Sequence, residues 1–153
     1  MSHYGLYIHV IFSTKFRARL LNEDWRPELH KVLGERVKEQ KAHLVQAGGI
    51  EDHLHLLLRI HPSFAIADTI RDIKANSSSW INHSRLTKGT FHWQSGYAAF
   101  SVSHSLLDVV QGYIQNQIEH HREKNFREEY LEFLDRHKIP YNPTYVFEEE
   151  ILS

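Results

Sequence analysis

Tyr4 to Phe12 (YGLYIHVIF) is a run of aromatic and β-branched residues with apolar positions on both faces, the pattern of a central strand. From Asn22 to Gln40 the apolar residues Trp25, Leu29, Val32, Leu33 and Val37 recur at steps of three and four. Pro27 falls in the first turn and Asn22 is a candidate cap, so a helix is expected. His43 to Ala47 reads as a second strand. Gly48-Gly49 and Glu51-Asp52 then make a turn or bulge into a third, His53 to Ile60, in which Leu54, Leu56, Leu58 and Ile60 define one buried face. Ile66, Ile70, Ile73 and Trp80 mark a second helix up to about His83, and Ala98, Phe100 and Val102 alternate in a fourth strand from Tyr97 to Ser103. A third helix is expected over 105–124 and a fourth over 126–137, leading into a tail over 140–153. The order β-α-β-β-α-β predicts an α+β, ferredoxin-like fold, a four-stranded antiparallel sheet with helices on one face plus C-terminal helices.

Length and composition narrow the class. At 153 residues without an internal repeat, one domain over 1–153 is expected. Cysteine is absent, which excludes disulfide scaffolds, thiolate metal sites and thiol nucleophiles, so any metal must be held by His, carboxylate or amide. No apolar run approaches the roughly 20 residues that span a bilayer, and MSHYGLYIHVIFSTKFR lacks the features of a secretory signal. A cytoplasmic location with no membrane contact follows as the expectation. The net charge of −1 excludes a bulk basic coat for nucleic acid, but the halves differ in sign. Residues 1–100 carry 13 Lys and Arg against 9 Asp and Glu, whereas 101–153 carry 5 against 10.

The candidate chemistry lies on the third strand and the third helix. Strand residues two apart share a face, so His53 and His55 present two imidazoles together while Leu54, Leu56 and Leu58 enter the opposite core. A strand pair of this kind alone is either half a metal site or a half-exposed surface. On the helix, Tyr113, Gln117 and His120 lie along one stripe beside the apolar stripe Leu106, Val110, Ile114, Ile118 and His121. A Tyr there alone is packing. Two imidazoles with a neutral amide oxygen form a mixed N/O set that leaves positions open for phosphate oxygens and suits Mg²⁺ or Mn²⁺. Such an ion polarises a phosphoryl group toward attack by a phenol, itself a poor nucleophile at neutral pH.

Asp52-His53-Leu54-His55-Leu56-Leu57 resembles the His-hydrophobe-His (HUH) signature. Gly112-Tyr113-Ile114-Gln115-Asn116-Gln117 with Glu119-His120-His121 resembles the tyrosine helix of single-tyrosine HUH transposases, the small enzymes of certain bacterial insertion sequences and their repeat-associated relatives. Three further stretches agree, in order along residues 4 to 147: His9 to Arg17, Ile73 to Ser78 and Trp93 to Tyr97. The resemblance implies that His53 and His55 bind the metal, that Gln117 completes its protein ligands, and that Tyr113 attacks the scissile phosphate of single-stranded DNA. The products would be a 5′-phosphotyrosine and a free 3′-OH at hairpin ends. His120 or His121 could replace or join Gln117. The resemblance also implies a homodimer, in many relatives one in which a subunit's tyrosine helix serves the other's histidines, with a monomer as the alternative offered by the repeat-associated relatives, and a nucleoid-associated protein when DNA is bound.

Strands and hairpins are held by basic grooves with aromatic stacking, which makes Lys15, Phe16, Arg17, Arg19, Arg71, Lys74, Arg85 and Lys88 the candidate DNA contacts. The acidic second half, including Glu148-Glu149-Glu150, is expected to face away from phosphate. Three rival classes fare worse. An RNA-binding sheet needs exposed strand aromatics in a run that does not occur. A two-histidine phosphoesterase needs two His-hydrophobe-Ser/Thr motifs, and only His61-Pro62-Ser63 approaches one. A replication initiator of the HUH type usually carries a further domain. The nearer alternative is a domesticated or inactive relative that binds hairpins as a sequence- or shape-specific nucleic-acid-binding protein.

Overall fold

The computed structural model describes residues 1–121 and 123–147. Glu148-Glu149-Glu150 lie outside them. The strands are β1 (Tyr7–Ser13), β2 (His43–Ile50), β3 (His53–Arg59) and β4 (Ala98–Val102), and they form one sheet in the order β2-β3-β1-β4. Every neighbouring pair is antiparallel. With α1 (Arg26–Arg36) and α2 (Ile66–His83) as the crossovers, this is the expected split βαβ arrangement, with β1 central.

Alternation along the strands divides the molecule into two layers. Ile8, Val10 and Phe12 of β1 and Leu54, Leu56 and Leu58 of β3 point to one face, where Leu29 and Leu33 of α1 and Ile70, Ile73 and Ile81 of α2 cover them. His9 and Ile11 of β1 and His53 and His55 of β3 belong to the other face by the same two-residue period. There Phe126, Tyr130, Phe133 and Leu134 of α5 (Phe126–Arg136) close over Ile11, Ala98 and Phe100, with Phe147 beside them. A one-residue slip of β3 would exchange hydrocarbon and imidazole between the layers, so this register is strongly specified.

Several boundaries differ from the sequence reading for identifiable reasons. Helix α1 starts at Arg26, not Asn22, because the Asn22 side-chain oxygen accepts from the Asp24 amide at 2.8 Å and builds a turn ahead of the helix. Residues Val37–Gln40 tighten into a 3₁₀ turn. Strand β2 runs through Gly48 and Gly49 to Ile50, leaving Glu51-Asp52 as the whole turn. Gly48 is needed because a methyl group there would run into the carbonyl oxygen of Ile114, so glycine lets the third helix lie directly on β2.

That third helix is not continuous. A 3₁₀ turn at His104–Leu106 leads into α3 (Leu107–Gln115), Asn116 leaves helical geometry at φ −96° and ψ 24°, and α4 (Gln117–His120) follows. The expected docking stripe is corrected accordingly: Ile114 is buried, while Leu106 and Ile118 are exposed. Gln117 and His121 take the inward positions, because what they meet on this face is polar.

The stretch Trp93 to Gly96 ties three elements together. Gln94 exchanges hydrogen bonds with Ser13 at the end of β1, its side-chain oxygen accepting at 2.6 Å and its amide donating at 2.9 Å. Trp93 Nε1 donates to Ser77 Oγ of α2 at 2.9 Å, and Lys74 Nζ donates to the carbonyls of Gln94 at 2.5 Å and Gly96 at 2.9 Å. This knot fixes the end of β1 from which the basic turn at Lys15–Arg17 departs.

Candidate active site

His53 and His55 are fully buried and both direct Nε2 toward one point above the second face. Gln117 Oε1 stands 2.9 Å from His53 Nε2. At the centre is a carboxylate absent from the sequence expectation, Glu129 of α5, which is 1% exposed. Its Oε1 lies 2.9 Å from His55 Nε2, 3.0 Å from His121 Nε2 and 3.3 Å from His53 Nε2. Its Oε2 accepts from Gln117 Nε2 at 3.2 Å and from the Tyr113 hydroxyl. Tyr113 also meets His120 Nε2 at 3.1 Å. Tyr113, the histidine pair and Gln117 thus meet within one chain.

Two outer contacts aim the imidazoles. His53 Nδ1 is 2.7 Å from Asp52 Oδ1, and His55 Nδ1 is 2.8 Å from His9 Nε2 across the β1–β3 pair. Phe126 stacks on the His53 ring with centroids 4.5 Å apart, and the edge contact of Phe133 with His9 is at 5.1 Å.

The electrostatics follow from burial and neighbours. Burial opposes a charge on His53, but the carboxylates of Asp52 and Glu129 outweigh it and push its pKa up to about 9. With acceptors at both ring nitrogens, the His53 ring is protonated at neutral pH. Burial brings His55 down to about 4 despite the attraction of Glu129, and burial with the nearby His55 holds His9 well below the usual imidazole range. Burial also works against the charge of Glu129, yet the hydrogen bonds from His121, His53 and His55 hold it far below the usual carboxylate range. Burial and then the Glu129 charge raise Tyr113 well above the ordinary phenol. Two carboxylates around one protonated imidazole leave the Asp52, His53 and Glu129 group with a net negative charge.

The donor set fits a divalent cation. The ligand atoms of His53, His55, His121 and Glu129 all lie within 4.8 Å of one another. Of the two histidines left open by the sequence, His121 turns into the donor cluster while His120 attends the tyrosine hydroxyl.

The candidate DNA contacts fall into two groups. Lys15, Phe16, Arg17 and Arg19 form a turn on the Glu51-Asp52 hairpin, where Thr14 N donates to Asp52 O at 2.9 Å and the amides of Leu20 and Leu21 donate to Glu51 O. Phe16 and Arg17 hold left-handed φ values of 59° and 56°, and the Phe16 ring is 62% exposed. Arg17 lies over the Phe147 ring at 4.6 Å. Arg71, Lys74, Arg85 and Lys88 belong to α2 and the loop after it, in the layer across the sheet from Tyr113. Arg71 pairs with Asp68 and Asp72, and the Lys74 ammonium is engaged by the loop carbonyls already described.

Glu129 and the contact of His9 with His55 escaped the sequence reading. The signal for Glu129 was present: in Phe126 to Arg136 it sits between Phe126, Tyr130 and Phe133, a charge inside an otherwise apolar stripe. The expectation that the acidic second half faces away from the chemistry therefore needs amending at this residue.

A buried HUH pair on an antiparallel sheet, with a helix-borne tyrosine above it, defines a class of DNA-processing proteins. The chain belongs to the IS200-like transposase family: the family described as "Transposase IS200 like" matches residues 2–117. It is 26% identical over 119 residues to ISDra2 transposase TnpA of Deinococcus radiodurans, covering 74% of this chain and 85% of that one. The transposase for insertion sequence element IS200 of Salmonella typhimurium is 23% identical over 117 residues, covering 72% and 76%. Among solved structures, a transposase-like protein of Deinococcus radiodurans R1 superposes with a TM-score of 0.62 at 27% identity, over 76% of this chain and 93% of that one. A REP-associated tyrosine transposase bound to a REP hairpin shares the fold, with a TM-score of 0.53 at 15% identity over 76% and 72%. His121 and Glu129 lie beyond the family match. Among the described residues no helix is long and apolar enough to cross a membrane.

Proposed function

We propose that this transposase is a metal-dependent single-stranded DNA endonuclease and strand transferase that works through a 5′-phosphotyrosine at hairpin ends. The observation that carries this reading is the convergence of Tyr113, His53, His55 and Gln117 around one buried carboxylate within a single chain. His53, His55 and Gln117 would hold Mg²⁺ or Mn²⁺, with His121 and Glu129 available to the same ion. When bound, that ion supplies positive charge to the phosphoryl oxygens and to the developing phenolate.

The protein's own groups do the rest. Tyr113 is half-buried beside a negative charge and stays a protonated phenol at neutral pH, so it becomes nucleophilic only when a phosphate is brought to it. Its oxygen forms the bond to phosphorus, the bond from phosphorus to the 3′ oxygen breaks, and that oxygen leaves with a proton as a free 3′-OH. Glu129 and His120 are the acceptors within reach of the hydroxyl proton. Conserving the phosphodiester as a phosphotyrosine allows rejoining without a nucleotide cofactor.

The strand is held first by Lys15, Phe16, Arg17 and Arg19, which border the His53 end of the site, with Arg71, Arg85 and Lys88 meeting DNA that wraps across the sheet edge. Lys74 would reach phosphate only by giving up its carbonyl partners. The protein acts in the cytoplasm on single-stranded hairpins. A homodimer would bring two ends together, with each tyrosine serving the histidines of its own chain or of its partner.

Incubation with Mg²⁺ or Mn²⁺ and a pool of labelled single-stranded hairpins, resolved on a denaturing gel, tests the reading. A metal-dependent protein–DNA adduct that Tyr113→Phe eliminates, with hairpin binding retained, is the expected result. Hairpin binding without any adduct across the pool would assign the chain to the binding proteins that kept the scaffold and lost the reaction.

A further inference from the structure

His9 has no part in the donor set, yet it is a 3% exposed imidazole on β1 with its Nε2 only 2.8 Å from His55 Nδ1. Its ring is enclosed by Phe133 and Phe100 at centroid distances of 5.1 and 6.4 Å. A hydrocarbon side chain would fill that space without the cost of burying a polar ring. The structure therefore asks what the hydrogen bond to His55 provides.

A cation takes the lone pair of an imidazole nitrogen, so His53 and His55 can offer Nε2 only when the remaining ring proton sits on Nδ1 and has an acceptor there. For His53 that acceptor is Asp52 Oδ1 at 2.7 Å. For His55 it is His9 Nε2. The two supports differ in kind, because a carboxylate only accepts whereas an imidazole nitrogen donates or accepts according to its tautomer. Without a cation, His55 Nε2 donates to Glu129 Oε1 at 2.9 Å, which leaves Nδ1 to accept from His9. With a cation on Nε2 the direction reverses, and His55 Nδ1 donates to His9. The same two atoms stay paired in both states, and the ring does not turn.

We propose that His9 is the positioning residue of the metal site, holding His55 with Nε2 toward the cation and supplying a partner for Nδ1 in both tautomers. The inference rests on the metal site proposed above. Outer partners of metal-bound histidines are typically worth 10- to 100-fold in affinity. His9 acts through His55 and touches neither the ion nor the DNA.

Calorimetric titration of the full chain with Mn²⁺, without DNA, tests this. His9→Phe keeps the ring's shape and suits its aromatic neighbours but has no nitrogen, and Mn²⁺ affinity should fall about 10- to 100-fold. His9→Gln offers an amide N–H or a carbonyl oxygen at a similar reach and should recover most of the loss. Should His9→Phe fail to fold, His9→Met takes its place. Equal Mn²⁺ affinity in wild type and His9→Phe overturns the positioning role alone, as does a Gln variant no better than Phe. A wild-type protein that binds no Mn²⁺ overturns the metal site, and this inference with it.

Discussion

Replacing Glu129 with Gln exposes the electrostatic logic of the site through stability alone. Without a metal, burial disfavours a charged His53, but Asp52 and Glu129 together raise its pKa from 6.5 to about 9. A group whose folded pKa exceeds its unfolded value stabilises the fold fully below the unfolded pKa and loses that contribution as pH climbs through the folded one. At about 1.4 kcal/mol per unit, the shift from 6.5 to about 9 corresponds to a loss on the order of 3 kcal/mol across that interval. His55, brought down to about 4, acts in the opposite sense. The unfolded chain takes up a proton below pH 6.5 that the folded site refuses, so stability also falls on acidification toward pH 4. Half-buried His30, likewise lowered to about 4, adds to this acid limb. Glu129 joins at lower pH, because a carboxylate held below its unfolded value stabilises only above that value. The metal-free protein should therefore be most stable near pH 6.5. Glu129→Gln removes one of the two charges that retain the His53 proton while the opposing burial stays, so the alkaline loss should fall to less than half. The double variant with Asp52→Asn should abolish it. Urea unfolding between about pH 6 and pH 9 in the presence of a chelator measures the effect. A flat wild-type profile over that range, or an undiminished alkaline decline in the double variant, would refute the reasoning.

Other outcomes follow from the same geometry. Because a cation must displace the proton from His53 Nε2, Mn²⁺ binding at pH 7 should release protons, and apparent affinity should rise with pH up to about 9; calorimetry in buffers of different ionisation enthalpy reads both. Gly48→Ala forces the α3 backbone off β2, and urea unfolding should show about 1–3 kcal/mol of destabilisation together with slower adduct formation as Tyr113 shifts. Phe16→Ala should weaken single-strand binding by about 1–3 kcal/mol with little change in salt dependence. Lys15→Ala should instead flatten the salt slope in the same fluorescence anisotropy assay.

How much of this could be read from the chain alone varied with the range of the interactions involved. Strand alternation in His53 to Ile60 and the stripe in Ile66 to His83 are local patterns, and both elements lie where the pattern puts them. The third helix was misread as continuous because the break at Asn116 answers to a distant demand: Gln117 and His121 meet buried polar groups on β3 and α5. Asn22 looked like a helix cap because its local turn uses the same side-chain oxygen a cap would. That His53 and His55 share a face was legible from spacing, but which helical histidine joins them was not, since His120 and His121 differ only in where the broken helix turns them. Glu129 is separated from His53 by most of a hundred residues, and only the packing of α5 brings it in. The basic positions looked alike along the chain, yet the sheet divides them between its two faces.

Strand β3 carries two messages in alternate positions, leucines that hold the fold and histidines that face the proposed site. Deleting or inserting one residue scrambles both at once and leaves no folded product. Loss of the Tyr113 hydroxyl would end the proposed reaction alone, whereas an apolar residue at His53 or His55 also leaves the buried Glu129 charge without a partner. Decay of a gene of this kind should therefore be uneven. Copies that lose the proposed reaction by a point substitution outside the buried cluster would persist as folded proteins, ready to be kept for whatever nucleic acid they bind, whereas frameshifted or slipped copies would vanish with their fold.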